Sequence, residues 1–572
     1  MGSFLPKNYT FNSFQADLLS GITVGIIALP LAMALAIASG VPPEHGLYTS
    51  IFAGIVIALT GGSKFNVSGP TAAFVVVLLP ISQKFGLAGL LTATLIAGLI
   101  LIFLGAAKLG GVIRLIPYPV IIGFTSGIGI VIAGLQIKDF LGIEGINRGG
   151  FVSTITQISS SLDRINWLDT SVGVVTLAVL LLFPKLKLKI PSHLVAVLVG
   201  TLFAYFLVPM GFGEHVKTIG SEFHYVIDGV SGNGIPPVLP KFALPWNWVD
   251  PSGKTLVWSV QLFKELFMAG FAIAMLGAIE SLLCAVVADG MTGTKHNSNK
   301  ELIGQGLGNL VAPFFGGIPA TAALARTAAN IRAGGNSSVS SIVHGVFLLL
   351  SLVFIGKWLA FIPMATLAAL LFIVAWNMAE VKHFIRIVKI APRSDVAVLL
   401  ACVSLTVLVD MVAAVTVGIV LASVLFIRRM FELTGNQLSQ EYQPNETDFE
   451  GAEGVVVYEI KGSLFFGAAQ KAISTLGEIQ NKFHTLILEL TRVEMIDMTG
   501  IVALESVLAD LRKAKIKVII CGPSPQVKER FEAAGIVSNA GTLCIVSSIE
   551  HGLDLVESRS LEASSVELEP NT

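Results

Sequence analysis

From about residue 18 to about residue 430 the chain is a succession of apolar runs separated by short polar or Gly/Pro-containing breaks. A helix that crosses a bilayer needs roughly 20 mostly apolar residues. On that measure the runs predict about fourteen segments, at 18–39, 47–61, 70–82, 87–107, 117–137, 171–183, 193–210, 264–289, 301–316, 321–333, 338–356, 363–377, 395–410 and 412–428. Several are too short to cross alone. After Arg429 a polar linker leads to three strand-like runs, at 454–460, 485–490 and 517–521, with helical patterns of roughly 10–15 residues between them, which predicts a small α/β domain. The expected architecture is a polytopic α-helical membrane protein followed by that domain. Its expected parts are an N-terminal segment (1–17), a transmembrane domain (18–432), a linker (433–450), the α/β domain (451–556) and a Ser- and Glu-rich tail expected to be disordered (557–572).

Composition sharpens this reading. Only 13% of the 572 residues are charged, against about 25% in soluble domains, and residues 441–572 hold 31 of the 75 charged side chains. A soluble globular chain is excluded; the first part is built for lipid and the second for water. The net charge of −1 and the scattered basic residues exclude a nucleic-acid-binding face. Cys284, Cys402, Cys521 and Cys544 lie far apart without metal-ligand spacing, so they are expected to pack as small apolar residues, with no metal and no cofactor. Met1-Gly2 lacks the Ser or Thr at position 6 that myristoylation needs, where Pro6 stands.

Lys and Arg in short loops mark the cytoplasmic side. Lys185–Lys189, Lys382–Lys389 and Arg428-Arg429 carry the strongest signals, and with fourteen spans they fall on the same side as the N-terminus. The chain is thus expected in the cell (inner) membrane with its N-terminus and α/β domain cytoplasmic. The loops 138–170 and 211–258 fall outside.

Pro70-Thr71-Ala72-Ala73 opens the third run, and Thr321-Ala322-Ala323 opens the tenth, so one phrase starts the third segment of each seven-segment half. Transporters with inverted repeats place paired interrupted helices at the midplane, where helix N-termini offer unpaired N–H groups. This points to a substrate site at the two phrases, including Ala323.

An ionisable side chain inside a span costs several kcal/mol unless it faces a cavity or a partner. Glu280 lies mid-span and is read as a proton carrier or as a structural glutamate bonded to another helix. Arg326, about one turn after the second phrase, is read as an anion-attracting group or as the partner of Glu280. Asp289 and Asp410 are read as solvated or capping. Gly61-Gly62, Gly304–Gly308 and Gly316-Gly317 lack the Lys-Ser/Thr of a phosphate loop and are read as close helix packing. No nucleophile–base constellation is present in the sequence, so an enzyme is not expected. In the soluble part Thr499 is a hydroxyl at a helix start, read as a cap or a phosphorylation site.

Pro42–Thr49, Val67–Thr71 and Ile279–Leu283, followed by Asp497–Gly500, resemble the SulP (sulfate permease) family of anion transporters with a C-terminal STAS domain. Within it Gly21–Ala28, Ile57–Ser63 and Asp289–His296 resemble the branch that carries C4-dicarboxylates. The resemblance implies core and gate domains, two inverted seven-segment repeats, an elevator-like motion and a homodimer. Carried over by motif, the site includes Leu31 and Leu35 on the first segment, Thr71, Ala72 and Ala73 on the third, Glu280 and Cys284 on the eighth, and Ala325 and Arg326 on the tenth. Some relatives have Gln at Leu31 and an aromatic near Thr71, and a sodium-coupled bicarbonate member has Asp at Glu280. Thr499 holds the position phosphorylated in bacterial anti-sigma antagonists. The expected function is proton-coupled uptake of C4-dicarboxylates such as succinate, fumarate and aspartate, with Glu280 carrying the proton. The alternatives are a bicarbonate or sulfate transporter, proton- or sodium-coupled, an uncoupled anion channel, or a membrane-anchored sensor.

Overall fold

The computed structural model describes residues 9–111, 116–146, 150–186, 188, 190–207, 216–227, 230–248, 256, 258–409, 411–440, 454–460, 462, 464, 483–539 and 541–556. The chain divides into two compact units, 1–422 and 423–572. Asp410, residues 441–450 of the expected linker and the expected tail lie outside the described residues.

In the first unit the elements are α1 (Phe11–Ala38), α2 (Pro43–Tyr48), α3 (Gly54–Thr60), β1 (Ser68–Gly69), α4 (Ala72–Ala106), α5 (Tyr118–Phe140), α6 (Phe151–Ser160), α7 (Trp167–Leu182), α8 (Ser192–Leu207), α9 (Ile219–Glu222), β2 (His224–Ile227) and β3 (Val230–Asn233). They continue with α10 (Val260–Thr292), α11 (Ser298–Val311), β4 (Thr321–Ala322), α12 (Leu324–Arg332), α13 (Val339–Leu359), α14 (Met364–Met378), α15 (Val381–Ile390), α16 (Arg393–Leu408) and α17 (Met411–Gln440), which runs past the unit boundary. Among the described residues, seven helical stretches are long and apolar enough to cross a bilayer; one joins α7 to the turn after it (Trp167–Leu186), another joins α14 to α15 (Met364–Ile390), and α10 is one of the longest. The third and fourth expected segments are one continuous α4 with a break at Gly86, whose φ of 67° only glycine adopts without strain.

Glycines let these helices approach backbone to backbone, as small residues do in membrane bundles. A Cβ at Gly306 would fall 2.7 Å from the Gly98 carbonyl oxygen, and one at Gly304 would fall 2.5 Å from Gly61 Cα. The Gly304–Gly308 phrase is therefore a packing surface of α11 against α4 and α3. Two bundles result. One joins α1 with α2, α12 and α13, and α4 with α10 and α11; the other joins α5 with α14 and α16, and α7 with α8 and α14.

The second unit carries a four-stranded parallel sheet in the order β5 (Val455–Glu459), β6 (Thr485–Glu489), β7 (Lys517–Cys521), β8 (Leu543–Val546). Between strands run α18 (Met498–Lys513) and α19 (Pro525–Ala533). In β6, Leu486 and Leu488 face a core with Ile501, Leu504 and Phe531, while Ile487 faces Ile519, Ile549 and Leu553. Burial on both faces explains its unbroken apolar run. The sequence reading found three of these strands and missed β8, which is only four residues long.

Candidate functional site

Two short strands organise the centre of the first unit. β1 pairs antiparallel with β4, Ser68 opposite Ala322 and Gly69 opposite Thr321, and Ala323 N–H donates to the Val67 carbonyl at 2.9 Å. The helices α4 and α12 start within three residues of the ends of the two paired strands. The two sequence phrases both lie at these strand-to-helix junctions, but they are not equivalent. Thr71 occupies the N-cap position of α4, whereas the N-cap of α12 is Ala323, and Thr321 lies within the strand with its hydroxyl on the Gly277 carbonyl of α10 at 3.1 Å. The matching tripeptides are out of register.

Neither helix start has a side-chain cap. Ala323 has no group to offer, and Thr71 gives its hydroxyl away: Thr71 Oγ1 donates to Glu280 Oε2 at 2.7 Å. The first N–H groups of both helices thus stay unsatisfied by caps, and each start carries roughly half an elementary positive charge. Ala72 and Ala73 on α4 and Ala323 before α12 are buried and small, so nothing bulky fills the ends.

Arg326 is buried in the first turn of α12. Its Nη2 donates to the Pro70 carbonyl at 3.2 Å and its Nη1 to Ser50 Oγ at 3.5 Å. A Cβ at Gly69 would collide with the guanidinium, so glycine there makes room for the arginine. No ion pair joins Arg326 to Glu280; the carboxylate's partner is Thr71, which answers the pairing alternative. Glu280 is also not the most deeply buried carboxylate. Asp17, Glu301 and Asp169 are buried, while Glu280 keeps partial exposure, and its Oε1 has no protein donor among the described residues.

The other expected residues sort into supports and lining. Leu31 and Leu35 are buried on α1. Cys284 Sγ donates to Thr327 Oγ1 at 3.2 Å, and the same oxygen accepts from Val67 N–H at 3.0 Å, so Cys284 helps fix α10, α12 and β1 to one another. Ala325 is exposed on α12. Asp289 lies inside α10, whose C-cap is Gly293, so it is not a cap; its carboxylate holds the following turn by accepting from His296 N–H at 3.0 Å and Thr294 Oγ1 at 3.1 Å and contacting His296 Nδ1 at 2.7 Å.

Among the buried polar residues that escaped the sequence reading are Glu301 and His344. Glu301 accepts from Gly62 N–H, Ser63 N–H, Asn66 Nδ2 and Gln305 Nε2, and Gln305 Nε2 also reaches Ser68 Oγ at 3.1 Å, which ties α11 to β1. Glu301 opens its run, so it read as a span boundary. His344 on α13 is buried with neither ring nitrogen bonded among the described residues; an ionisable residue inside an apolar run was its legible signal.

In the second unit α18 is capped by Asp497, which accepts from Gly500 N–H at 2.8 Å. Thr499 is therefore not the cap; it lies inside the first turn with its side chain exposed. Burial pushes the Cys521 thiol up to about 11, consistent with an inert packing role.

The model of the sulfate permease family matches residues 14–402, and the STAS domain model matches residues 446–543. The chain belongs to the sulfate permease family. It is a multi-pass membrane anion transporter of that family, not an enzyme, with a C-terminal STAS domain. "Putative sulfate transporter YvdB" of Bacillus subtilis (strain 168) is 40% identical over 94% of this chain and 96% of its own. Bicarbonate transporter BicA of Picosynechococcus sp. is 32% identical over 91% of both chains. The solved transmembrane domain of a cyanobacterium bicarbonate transporter BicA covers 71% of this chain and is itself covered to 98%, with 32% identity and a TM-score of 0.61. Murine Slc26a9 in the inward-facing state, at 22% identity, matches 97% of this chain and 93% of its own with a TM-score of 0.81, a likeness of fold. These relatives carry sulfate and bicarbonate in their names, not a C4-dicarboxylate, and that moves the substrate reading from the expected class to its alternative.

Proposed function

We propose that this chain is a secondary active transporter of a small inorganic oxyanion, bicarbonate or sulfate, in which Glu280 carries a coupling proton. The observation that carries the reading is the pair of uncapped helix starts that follow the paired strands β1 and β4, with buried Arg326 in the first turn of α12 and Thr71 committed to Glu280. Two helix starts supply roughly one positive charge, and Arg326 adds another. An ionised Glu280 cancels one of them, and a protonated Glu280 restores it. At about 4 Å and an effective dielectric constant near 20, one unit charge is worth about 4 kcal/mol to a monovalent anion. Proton and anion therefore favour each other's binding, as symport requires. The groups that bind are backbone N–H and a guanidinium, which suit any small oxyanion. The names of the relatives support sulfate and bicarbonate within that class, and the phrases resembling the C4-dicarboxylate branch keep succinate as a competitor to test. Transport proceeds in this reading by displacement of the bundle holding α4 and α12 against the bundle holding α5 and α14, in a homodimer, and phosphate on exposed Thr499 is its regulatory input.

The test is uptake of labelled sulfate and labelled bicarbonate into proteoliposomes, with and without an inward proton gradient, in competition with unlabelled sulfate, bicarbonate, succinate and chloride. Gradient-driven accumulation blocked by sulfate or bicarbonate supports the proposal. Preferential block by succinate restores the dicarboxylate class, and flux indifferent to the proton gradient removes the role of Glu280.

A further inference from the structure

The basic segment 382–389 marks the cytoplasmic side in the sequence, and the transport reading does not use it. It forms α15, a ten-residue helix between the apolar helices α14 and α16. Its links are short. Glu380, with φ of +42°, turns the chain out of α14, and Pro392 starts it into α16. The helix α15 packs against Ile122, near the start of α5, which puts it toward one end of that bundle.

The helix has two contrasting faces. Phe384 and Ile387 pack inward against Ile122 of α5 and Leu399 of α16. Lys382, Arg386 and Lys389 fall within about a 60° arc on the opposite side at 3.6 residues per turn, and all three are exposed. None of them forms an ion pair with a described carboxylate. Glu380 bonds His383 instead, at 2.8 Å, and Asp395 accepts from Ser394. On one flank of the basic stripe Ile385 and Val388 are 46% and 44% exposed, apolar side chains beside cations.

We infer that α15 docks on anionic phospholipid headgroups of the leaflet at the basic end of the bundle, its Lys382/Arg386/Lys389 stripe holding the phosphates and Ile385 and Val388 entering the acyl boundary. Basic amphipathic helices lie in the interface in this way, with apolar burial and attraction to anionic lipid acting together. Charge complementarity selects this occupant: three unpaired cations face a leaflet surface that is negative in bacterial and cytoplasmic membranes alike. The attachment is made through α5 and α16, in the bundle that does not contain the α4 and α12 starts, so lipid charge acts on one bundle only.

The test uses the full chain in neutral detergent, with melting temperature followed during addition of phosphatidylglycerol, phosphatidylcholine or inorganic phosphate. The parent is expected to gain several degrees with phosphatidylglycerol and little with the other two. Salt near 1 M, where the screening length is about 3 Å, is expected to erase most of the gain. K382Q/R386Q/K389Q is expected to melt like the parent without lipid and to lose most of the phosphatidylglycerol gain, and Ile385→Asn to lose part of it. A triple variant that keeps the full gain, or an equal gain from phosphatidylcholine, overturns the inference. A gain from inorganic phosphate that the triple variant abolishes assigns an ion site in place of a lipid surface and overturns it too. None of these readouts depends on transport.

Discussion

Thr71 Oγ1 donates to Glu280 Oε2 at 2.7 Å, and by doing so it leaves the start of α4 without a cap. A threonine at an N-cap position ordinarily bonds its own helix. Here the hydroxyl is spent on a carboxylate from α10, so one contact links Glu280 to the uncapped start of α4.

Replacing Glu280 with Gln keeps the shape of the protonated side chain but cannot release a proton. Glu280→Gln is expected to bind anion with weakened pH dependence and to lose accumulation driven by a proton gradient, while anion-for-anion exchange persists. Reconstituted uptake at matched internal pH, with the external pH stepped down from neutral, checks this. A variant that accumulates substrate as steeply on acidification as the parent makes Glu280 structural.

Thr71→Val removes the one described donor to the Glu280 carboxylate, a bond to a charged group worth about 1.5–3 kcal/mol. The ionised form loses that support, so the curve of uptake against pH is expected to move to higher pH. Thr71→Ser, which keeps the hydroxyl, is expected to overlay the parent. Identical curves for Val and Ser would show that the contact does not tune the proton.

Gly69→Ala places a methyl group where the Arg326 guanidinium lies. The arginine must leave its seat on the Pro70 carbonyl, and anion affinity is expected to fall about tenfold, close to 1.4 kcal/mol. Anion titration by scintillation proximity or calorimetry measures it, and a circular dichroism spectrum like the parent's confirms the fold.

A bulky ring at either half-helix end fills the space between them. Ala72→Phe and Ala323→Phe are expected to elute from size exclusion like the parent yet lose the rise in melting temperature that sulfate or bicarbonate produces. Normal stabilisation in both variants places the anion elsewhere.

The second unit has its own hydrophobic core around Leu486, Leu488 and Phe531. A chain ending near residue 440 is therefore expected to keep anion-dependent stabilisation while its transport rate changes. Loss of binding in a truncated chain that still melts cooperatively would mean that the STAS domain shapes the site.

Hydrophobic periodicity determined the class of the first unit, because a span must satisfy its backbone within itself and show lipid an apolar surface. Each expected segment falls on helix in the structure, including the short ones led by Pro or Gly, with the third and fourth sharing α4 on either side of Gly86. The strand runs of the second unit were legible for the same kind of reason, apart from the short β8. Glu280 stood out because a carboxylate in an apolar run is costly. What each buried polar group bonds was not legible, since those partners are brought together from distant parts of the chain: Thr71 to Glu280 across 209 positions, and Asn66 to Glu301 across 235. The repeated Thr-Ala-Ala phrase stands beside two strands that pair, through tripeptides that the β1–β4 register does not align. Only the tertiary structure decided that Arg326 rests on the Pro70 carbonyl and not on Glu280, that Asp497 and not Thr499 caps α18, and that α15 turns its cations away from the protein. Local pattern sets which segments leave water, while long-range packing sets which polar atoms meet once they have left it.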